Sequence, residues 1–539
     1  MDREKITHTV QVHERDDVEI EFMVTEQWYI EILDHKDEYL QAGEDMDWFP
    51  EKMHTRYKNW IEGLKWDWCI SRQRDSGIPF PVWYCDDCGE EIIAAKEDLP
   101  VDPIEDNPPT SKCPECGHEE LVPEEDVFDT WATSSLTPLI NAQWTWDEED
   151  EEYTMGRPEL YKFDLRPEGH DIISFWLFHT VVKCMAHTGE VPFEATMNHG
   201  HVLDENREKM SKSRGNVVTP EEILQEFPVD AARYWAAGSS VGDDFPFKEK
   251  ELVSGEKLMR KLWNASKLVE EIADSEESIS LDEEEFEEID KWMMAELDQL
   301  IEETYEHMEN YEFAKARDKI RHKFWHVYCD NYLEIAKQKL DDEDSESTKY
   351  VLQHVHKAFL KLFAPFLSHI TEELYNDMYS TQSIHTTDWP ETSDVEADLE
   401  AGENALEVIT ALRKYKTKNQ LSPTSAIDHV QVYGDIEGFE QDIKQVMHVN
   451  DLENLSEKPS TEQTIVEIKL DYSKAGPRYG DKVGEIEEAL ENGEWMIDGA
   501  RLEVANEKLK SEEFEVIEEH RYTGEGEMLE TKNMFVIIK

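Results

Sequence analysis

The chain lacks several features that would narrow its class at once. None of its 539 residues lies in a run of about 18 apolar side chains, so the sequence offers no segment able to span a bilayer as a helix. Its start lacks the basic-then-apolar pattern of a secretory signal, and no Gly/Ser linker or internal repeat interrupts it. We therefore expect a cytoplasmic protein with no membrane partner.

Basic residues are also scarce. The chain has 54 Lys and Arg against 125 Asp and Glu, which gives a formal net charge of -71. Repulsion on that scale is screened when the Debye length falls to about 3 Å near 1 M salt, which predicts a halophilic protein. The acidity argues against nucleic acid binding over most of the surface. With 39% apolar residues and 16 Trp, the chain can still build three or four globular domains.

Two short basic clusters contrast with this background. They are Lys315, Arg317, Lys319, Arg321 and Lys323, and then Arg413, Lys414, Lys416 and Lys418. The ordinary interpretation of each cluster is a solvated helix face. Because cations are rare elsewhere in this chain, the alternative is that a cluster binds nucleic acid phosphates.

Cysteines are few, and most of them are paired by spacing. Cys85-x-x-Cys88 and Cys113-x-x-Cys116 are each followed by Gly, and an odd total of 7 cysteines does not suit a disulfide framework. Four thiolates at this spacing predict a closed, tetrahedral structural zinc site, with free thiols as the alternative. The three other cysteines are expected to be buried apolar residues: Cys69, Cys184 and Cys329.

A short loop carries the most specific chemistry. Residues 209–213 read Lys-Met-Ser-Lys-Ser and combine two flexible ammonium groups with two hydroxyls, a set suited to binding phosphates. His199 and Gly200 precede the loop at a predicted strand end, and Thr219 followed by Pro220 predicts a capped helix after it. This strand–loop–helix order predicts a site at the carboxyl end of a doubly wound sheet. Alone, the pentamer could equally be a surface turn.

The loop resembles the second signature of the class I aminoacyl-tRNA synthetases. Residues 68–73 with 79–84 are similar to the valine and isoleucine branches of that class, and residues 238–248 resemble the valine branch more than the isoleucine one. The resemblance is to the archaeal type and covers nearly the whole chain. The first signature of the class, His-Ile-Gly-His, does not occur in the sequence. Arg207 is a departure, because the family usually has Gly there at the entry to the loop.

The resemblance implies roles for individual residues. Lys209 and Lys212 would form the catalytic pair that neutralises the leaving phosphates. ATP would also contact Gly169, Asp171, His199, Gly200, Met210, Ser211 and Ser213. Trp131 and Ile172 would wall the amino-acid pocket, and the cluster from Lys315 to Lys323 would contact tRNA. The alternatives are that Asp171 merely caps a helix and that Trp131 is a core residue.

The predicted fold is α/β with helical and α+β additions. The expected domains are the β end of an editing insertion at 1–45, the second half of a Rossmann-like class I catalytic domain at 46–246 with a zinc insert at about 80–120, a helical anticodon-binding domain at 247–392, and a small α+β domain at 393–539.

Several local elements are also predicted. We expect strands at 10–12 and 18–24, a helix at about 172–186, terminal strands at 430–433 and 464–470, a helix kinked at Pro365, and a solvated acidic turn and helix start at 274–290.

The resemblance implies ATP-dependent attachment of valine to tRNA(Val), with Mg²⁺ and structural Zn²⁺. Because only one signature is present, we expect half of an active site, completed by a second polypeptide or by the rest of a longer chain. The alternatives are the isoleucine branch, which differs by one methylene of substrate, and a tRNA-binding protein that has lost catalysis. The presence of Lys209, Lys212, Gly169 and Asp171 argues against the second alternative.

Overall fold

The computed structural model describes residues 9–13, 18–21, 24–147, 152–212, 214–272, 286–342, 345–498, 501–532 and 534–539. The chain forms two compact units. One comprises Met1–Met259 with Thr304–Asp318, and the other comprises Arg260–Glu303 with Lys319–Lys539. Within the described ranges, no helix has the length and apolar character needed to cross a membrane.

The first unit is mixed α/β. Its strands are β1 Tyr29–Ile30, β2 Asp47–Phe49, β3 Trp68–Cys69, β4 Ser71–Arg72, β5 Val82–Cys85, β6 Glu91–Ile93, β7 Leu121–Pro123, β8 Val127–Phe128, β9 Trp144–Asp147, β10 Glu152–Met155, β11 Phe163–Gly169, β12 Phe193–His199, β13 Val202–Leu203 and β14 Phe245–Pro246. Its helices are α1 Lys36–Glu44, α2 Lys52–Gly63, α3 Thr130–Ser134, α4 Thr137–Asn141, α5 Phe178–Thr188, α6 Pro220–Glu226 and α7 Val229–Ala236.

A parallel sheet positions the candidate site. Its order is β11–β12–β2, and in its register Gly169 lies beside His199. Phe193 and Ala195 on β12 are buried in the core beneath the sheet. A 3₁₀ turn at His170–Ile172, a π-helical turn at Ile173–Leu177 and then α5 follow β11, so the helix predicted at about 172–186 is confirmed. The carboxyl ends of β11 and β12 therefore lie side by side.

The paired cysteines lie in and beside a separate antiparallel sheet of order β6–β5–β7. Cys85 ends β5, and Cys88, Cys113 and Cys116 lie outside the strands. This sheet has its own short strands because each knuckle needs a tight turn before the chain reverses.

The second unit is helical and then α+β. Its helices are α8 Glu249–Ile272, α9 Glu288–Glu309, α10 Phe313–His322, α11 Leu333–Asp342, α12 Glu346–Phe363, α13 Ser368–Met378, α14 Leu399–Lys418, α15 Glu440–Met447, α16 Tyr472–Tyr479 and α17 Val483–Glu491. The first part of α8, the end of α9 and the start of α10 belong to the first unit. A π-helical segment, Lys323–Tyr332, joins α10 to α11. Its strands are β15 Ile427–Tyr433, β16 Val449–Asn454, β17 Thr461–Leu470, β18 Trp495–Asp498, β19 Arg501–Val504, β20 Glu507–Lys510, β21 Phe514–Tyr522, β22 Glu527–Glu530 and β23 Phe535–Ile538.

The terminal strands predicted at 430–433 and 464–470 are confirmed, since they lie in β15 and β17. β15 lies in a mixed sheet of order β16–β15–β23–β22, while β17 pairs with β21. A small core that includes Ile486 and Leu502 lies beside the second pair.

The strands predicted at 10–12 and 18–24 are not formed among the described residues there, which have one isolated bridge between Val12 and Glu19 and a fully exposed Val24. The described part of the first 45 residues does contain one short strand, β1. Residues 36–44 form a helix instead, α1, whose Tyr39 and Ala42 are buried at helical spacing.

One further prediction fails in the helical part. Pro365 does not kink a helix, because α12 ends at Phe363 and α13 begins at Ser368; proline has no N–H for a continuing helix and clashes with the turn before it.

The acidic turn and helix start predicted at 274–290 is partly right. α9 begins at Glu288, and Glu287 and Glu288 are exposed. Asp290 is not solvated, because it is completely buried and accepts hydrogen bonds from Tyr332 (2.5 Å) and Ser347 (2.6 Å). The rest of the predicted turn, 274–285, lies outside the described residues.

Candidate functional site

The candidate site begins at the adjacent ends of β11 and β12. A Cβ built on Gly169 would lie 2.7 Å from Asp171 Oδ1 and 3.4 Å from His199 Cε1. A Cβ on Gly200 would lie 2.1 Å from the Asp243 carbonyl oxygen. Gly200 therefore requires glycine, because a Cβ there would meet backbone atoms, whereas at Gly169 the nearest atom is the end of the exposed Asp171 side chain. The two strand ends bring the Asp171 carboxylate and the His199 ring to the same edge of the sheet.

A polar network surrounds this edge. Arg56 donates to His170 Nδ1 at 3.1 Å, and His170 Nε2 donates to Asp244 Oδ1 at 2.9 Å. The backbone N–H of His201 donates to the same Asp244 oxygen at 2.6 Å. These hydrogen bonds, first that from His201 and then that from His170, lower the pKa of Asp244. The network fixes the segment between β12 and β13 against the turn that follows β11.

Three side chains of this network could in principle hold a cation. His170, Asp171 and His201 place ligand atoms within 4.8 Å of one another. Two imidazoles and one carboxylate are a donor set for a transition metal, whereas Mg²⁺ prefers oxygen ligands. The set therefore does not fit a resident magnesium ion.

The lysine loop starts directly after β13. Asp204 accepts hydrogen bonds from the backbone N–H groups of Asn206 (2.9 Å) and Glu208 (2.8 Å), which closes the first turn. Arg207 in that turn has φ of 66°, in the left-handed region that favours glycine. The position where the family usually has Gly is thus one whose backbone requires that conformation.

The far end of the loop is tied to its start by Asn216. Its Nδ2 donates to Asp204 Oδ2 at 2.9 Å, and its Oδ1 accepts from the Ser211 N–H at 2.9 Å. The Asn216 hydrogen bond lowers the pKa of Asp204 and keeps that carboxylate charged. After the loop, Thr219 and Glu222 form the predicted capping box at the start of α6.

Lys209 and Lys212 lie between these fixed ends. Both side chains are exposed, and within the described part of the chain neither ammonium has a hydrogen bond or an ion pair. Met210 and Ser211 are half-buried, and Ser213 lies outside the described residues. In a chain with more than two carboxylates for each cation, two such ammonium groups on one anchored loop are a local concentration of positive charge that can attract an anion.

Trp131 lines a cavity of about 440 Å³ in the first unit. Its backbone N–H donates to Asp129 Oδ1, and its ring stacks on Phe175 with ring centroids 6.0 Å apart. Ile172 is half-buried but does not line this cavity; Phe175, one turn further along, does. The structure therefore does not place the two predicted pocket residues in one cavity.

Hydrogen bonds and ring stacking connect the side chains that line this cavity. Asp129 accepts from Trp68 Nε1 at 3.1 Å and from Arg72 at 2.8 Å. Trp68 stacks on His179 with ring centroids 3.7 Å apart, and burial lowers the pKa of His179 to about 4.

The four predicted zinc ligands lie together. The sulfur atoms of Cys85, Cys88, Cys113 and Cys116 lie within 4.8 Å of one another. Gly89 and Gly117 both have φ of 75°, and each donates its N–H to the carbonyl of the first cysteine of its pair at 2.9 Å. Two matching knuckles with four sulfur donors fit a tetrahedral zinc ion. Cys184 and Cys329 are buried as expected, while Cys69 is half-buried.

The first basic cluster is only partly available to a ligand. Arg317 is 7% exposed, donates to the Tyr234 carbonyl at 2.8 Å, and lies 4.4 Å above the Tyr234 ring. Lys323 forms an ion pair with the buried carboxylate of Glu296. These two residues have internal partners, so the prediction that they face tRNA is corrected.

The other three residues of this cluster remain at the surface. Lys315 pairs with Glu312 and Lys319 with Glu303, and Arg321 lies 5.5 Å from the Trp325 ring.

Sequence reasoning missed several residues that shape the site. Asp204, Asp244 and Arg56 act through contacts with residues distant in the chain or across the loop, and their side chains have no distinctive local pattern. The pairing of Asp204 with Asn216 could have been suspected from an Asp at the start and an Asn at the end of a turn-rich segment.

Similarity to known proteins agrees with this geometry. Residues 5–248 match the family model of class I tRNA synthetases for I, L, M and V, and residues 290–432 match that of the anticodon-binding domain of tRNA ligases. The chain is 59% identical to a valine–tRNA ligase of Haloarcula marismortui over 99% of this chain and 59% of the relative. It is 38% identical to one of Methanopyrus kandleri over 95% of this chain and 57% of the relative.

The chain thus spans less than two thirds of the length of these relatives. Among solved structures, it is similar to a methionyl-tRNA synthetase of Mycobacterium tuberculosis, with 18% identity, a TM-score of 0.48, and coverage of 68% of this chain and 65% of that chain. A similarity of that size supports no functional statement.

Proposed function

We propose that this chain forms the ATP-binding second half of a valine–tRNA ligase. It carries the matched class I synthetase and anticodon-binding domains. It is also similar to a valine–tRNA ligase along 99% of its length. In this reaction the carboxylate of valine attacks the α-phosphate of ATP, pyrophosphate leaves, and the valyl group then passes to tRNA(Val). The residues of the first signature belong to the part of the relatives that this chain does not match, whether it lies in a longer chain or in a separate one.

The observation that carries the proposal is the state of Lys209 and Lys212. Their ammonium groups have no protein partner among the described residues, and the Asp204–Asn216 hydrogen bond anchors their loop. Adenylate formation needs no protein nucleophile; it needs positive charge where the pyrophosphate leaves. Each charge-assisted hydrogen bond from a lysine would stabilise that group by roughly 1.5–3 kcal/mol.

The rest of the nucleotide would lie at the strand ends. Gly169 and Gly200 would contact the nucleotide through their backbone groups, and Asp171 offers an exposed carboxylate to the ribose hydroxyls. His199 lies beside Gly169 in the sheet register. Met210, Ser211 and Ser213 would complete the loop, and Mg²⁺ would enter with ATP.

The amino-acid pocket would be formed partly by this chain and partly by the first half of the enzyme, which this chain does not match. Trp131 supplies one aromatic wall, held by Asp129 and Phe175. Ile172 does not line the cavity beside Trp131. We propose it as a second wall of the amino-acid pocket in the complete enzyme, where the part that this chain does not match would cover the turn that follows β11. The cysteine cluster, with bound Zn²⁺, would hold the β5–β7 sheet in shape and leaves no open coordination position for catalysis.

The domain boundaries predicted from the sequence remain part of the proposal. The anticodon-binding domain would occupy 247–392, followed by an α+β domain at 393–539, and Lys315, Lys319 and Arg321 would face tRNA. We propose a cytoplasmic protein of a halophile, because only molar salt screens a net charge of -71.

Valine-dependent exchange between ATP and pyrophosphate in molar KCl tests the function. It should be measured for this chain alone and for the chain combined with a polypeptide that carries the first class I signature. Exchange only in the combination supports shared catalysis. Exchange by the chain alone would overturn the claim that half the site lies elsewhere. A higher specificity constant for isoleucine than for valine would move the chain to the isoleucine branch, and tRNA binding without exchange would favour a non-catalytic binder.

A further inference from the structure

Two histidines and an aspartate converge where β11 and β12 end. His170 and Asp171 follow Gly169, the last residue of β11, and His201 lies two residues after His199, the last residue of β12. Gly169 and His199 are partners in the sheet register, so the three side chains belong to adjacent strand ends. We call His170, Asp171 and His201 the histidine cluster.

The spacing of the histidine cluster suits a small transition-metal ion. Its ligand atoms, one from each side chain, lie within 4.8 Å of one another, and His201 Nε2 is 3.6 Å from Asp171 Oδ2. Ligands of a tetrahedral zinc ion lie about 3.3 Å apart, because Zn–N and Zn–O distances are about 2.0–2.1 Å. Imidazole is a ligand that Zn²⁺, Cu²⁺ and Ni²⁺ prefer. The cluster therefore needs only a small approach of its side chains to hold such an ion.

Two of the three ligand groups are available in the described part of the chain. Neither the Asp171 carboxylate nor the His201 ring makes a hydrogen bond there, and the 3.6 Å between them is too long for one. Their side chains are 45% and 30% exposed, so an ion can reach them from solvent. The backbone N–H of His201 donates to Asp244 Oδ1 at 2.6 Å, which holds the backbone that carries the ring.

His170 has a cationic partner that a bound ion would displace. Its Nδ1 accepts from Arg56 at 3.1 Å, and its Nε2 donates to Asp244 Oδ1 at 2.9 Å. A neutral imidazole that binds a metal through one nitrogen carries its proton on the other. Whichever nitrogen of His170 binds the ion, Nδ1 can therefore no longer accept from Arg56. Arg56 is exposed and can turn into solvent, but its hydrogen bond and its charge oppose a bound cation.

We propose that the histidine cluster binds a transition-metal ion such as Zn²⁺ in competition with the nucleotide. Three protein ligands leave the fourth coordination position to water. Asp171 is also the residue that we propose to accept from the ribose hydroxyls, and it cannot serve the ion and the ribose together. Bound metal would therefore inhibit adenylate formation. The competition rests on the proposed function, whereas binding of the ion rests on the geometry of the cluster.

Titration of the full chain with Zn²⁺ tests the site. Molar KCl is used because it screens weak binding to the many surface carboxylates. The chain is first loaded with zinc at its four paired cysteines, and its affinity for a second ion is measured by competition with a coloured chelator. His201→Asn should weaken binding of the second ion by at least about 10- to 100-fold, the loss typical even of residues that only support a ligand. His326→Asn should not, since His326 is an exposed histidine beside a single carboxylate, Asp330.

Arg56 gives a test in the opposite direction. Arg56→Ala should strengthen binding of the second ion about fivefold, the factor for one net hydrogen bond that no longer has to be broken. Lys58→Ala, which removes a charge from the same helix, is the control and should change the affinity by less than about twofold, because molar salt screens more distant charges. Weaker binding by Arg56→Ala would overturn the role of His170 as a ligand.

A footprint locates the ion without a mutation. Zn²⁺ should protect His201, and not His326, from diethyl pyrocarbonate, as read by mass spectrometry. Three results would overturn the proposal: no second ion on the zinc-loaded chain, equal affinities of the wild type and His201→Asn, or modification of His201 at the same rate with and without Zn²⁺.

Adenosine tests the competition, since it has the ribose hydroxyls but no phosphate to take up zinc. With this chain combined with the first-signature polypeptide, adenosine should weaken binding of the second ion, and 2′,3′-dideoxyadenosine should weaken it much less. No effect of adenosine, in a combination that catalyses valine-dependent exchange, would overturn the competition alone. If the combination catalyses no exchange, the proposed function fails, while the zinc titration of this chain still decides whether the histidine cluster binds metal.

Discussion

Asp204 and Asn216 close the lysine loop with a hydrogen bond of 2.9 Å between Asn216 Nδ2 and Asp204 Oδ2. Asn216 follows Asp204 by 12 positions, and the segment between them contains both candidate catalytic lysines. Since lysine side chains are long and flexible, the loop backbone is what determines where their charges can reach. The clamp, rather than the lysines alone, therefore positions the charge that the proposed reaction needs.

Removal of the clamp should reduce catalysis more than stability. Asn216→Ala frees the Ser211 end of the loop, and we expect the exchange rate to fall roughly 10- to 100-fold, because small misplacements of catalytic groups have effects of that size. Asn206→Ala is the control, since only its backbone N–H contacts Asp204. Exchange kinetics and thermal unfolding of both variants check the prediction, and equal exchange rates would contradict it.

The left-handed backbone of Arg207 predicts a stabilising substitution. Its φ of 66° is costly for any residue with a Cβ, so Arg207→Gly should raise the free energy of unfolding by about 0.5–1 kcal/mol after the added entropy of the unfolded chain is counted. Glu205→Gly, in the same turn at negative φ, should lower it by a similar amount. Denaturant unfolding measures both, and the same sign for the two would refute this explanation.

His356 predicts acid sensitivity in the second unit. It is completely buried between Ser266 and Tyr379, each at 2.8 Å, and burial lowers its pKa to about 3 from 6.5. Below pH 6.5 the unfolded chain binds a proton that the folded chain does not bind, so stability falls as pH decreases towards 3.

Between pH 6.5 and 5 this one residue should cost about 2 kcal/mol. His356→Asn should be less stable than the wild type at pH 7, and its further loss on going to pH 5 should be smaller by that amount. Parallel losses in the two proteins, measured by denaturant unfolding at each pH, would exclude His356 as the cause.

The cysteine cluster predicts one zinc per chain. Cys113→Ser should abolish bound zinc in metal analysis of the purified protein, because three sulfur ligands no longer complete the tetrahedral site. Cys184→Ser should keep it, since Cys184 is buried away from the cluster. Retention of zinc by Cys113→Ser would show that the cluster is not the metal site.

Burial of Arg317 predicts an effect on folding. Arg317→Met removes the hydrogen bond that the buried guanidinium donates to the Tyr234 carbonyl and its contact with the Tyr234 ring, so the free energy of unfolding should fall by about 1–3 kcal/mol. Lys315→Met, two residues earlier and exposed, should change it by less than about 0.5 kcal/mol. Comparable small effects in both variants would restore Arg317 as a surface residue.

Local spacing in the sequence determined much of this protein. Each Cys-x-x-Cys knuckle, the lysine loop and the Thr219 cap depend on contacts between residues close in sequence, and the structure forms each as a local motif should. The glycines at 169 and 200 were recognised by their motifs, but their contacts with His199 and Asp243 come from tertiary structure. The family resemblance, which similarity along the whole chain confirms, rests on the same short segments.

Tertiary structure decided which charged residues face solvent and which do not. Asp290 and Arg317 read as surface residues by composition, yet both are buried, because burial depends on which elements pack together. The Asp204–Asn216 clamp and the hydrogen bond between His170 and Asp244 likewise join side chains that the sequence places apart. A charge cluster in sequence fixes how many cations are near one another, but only packing sets whether their partners are protein groups or a ligand.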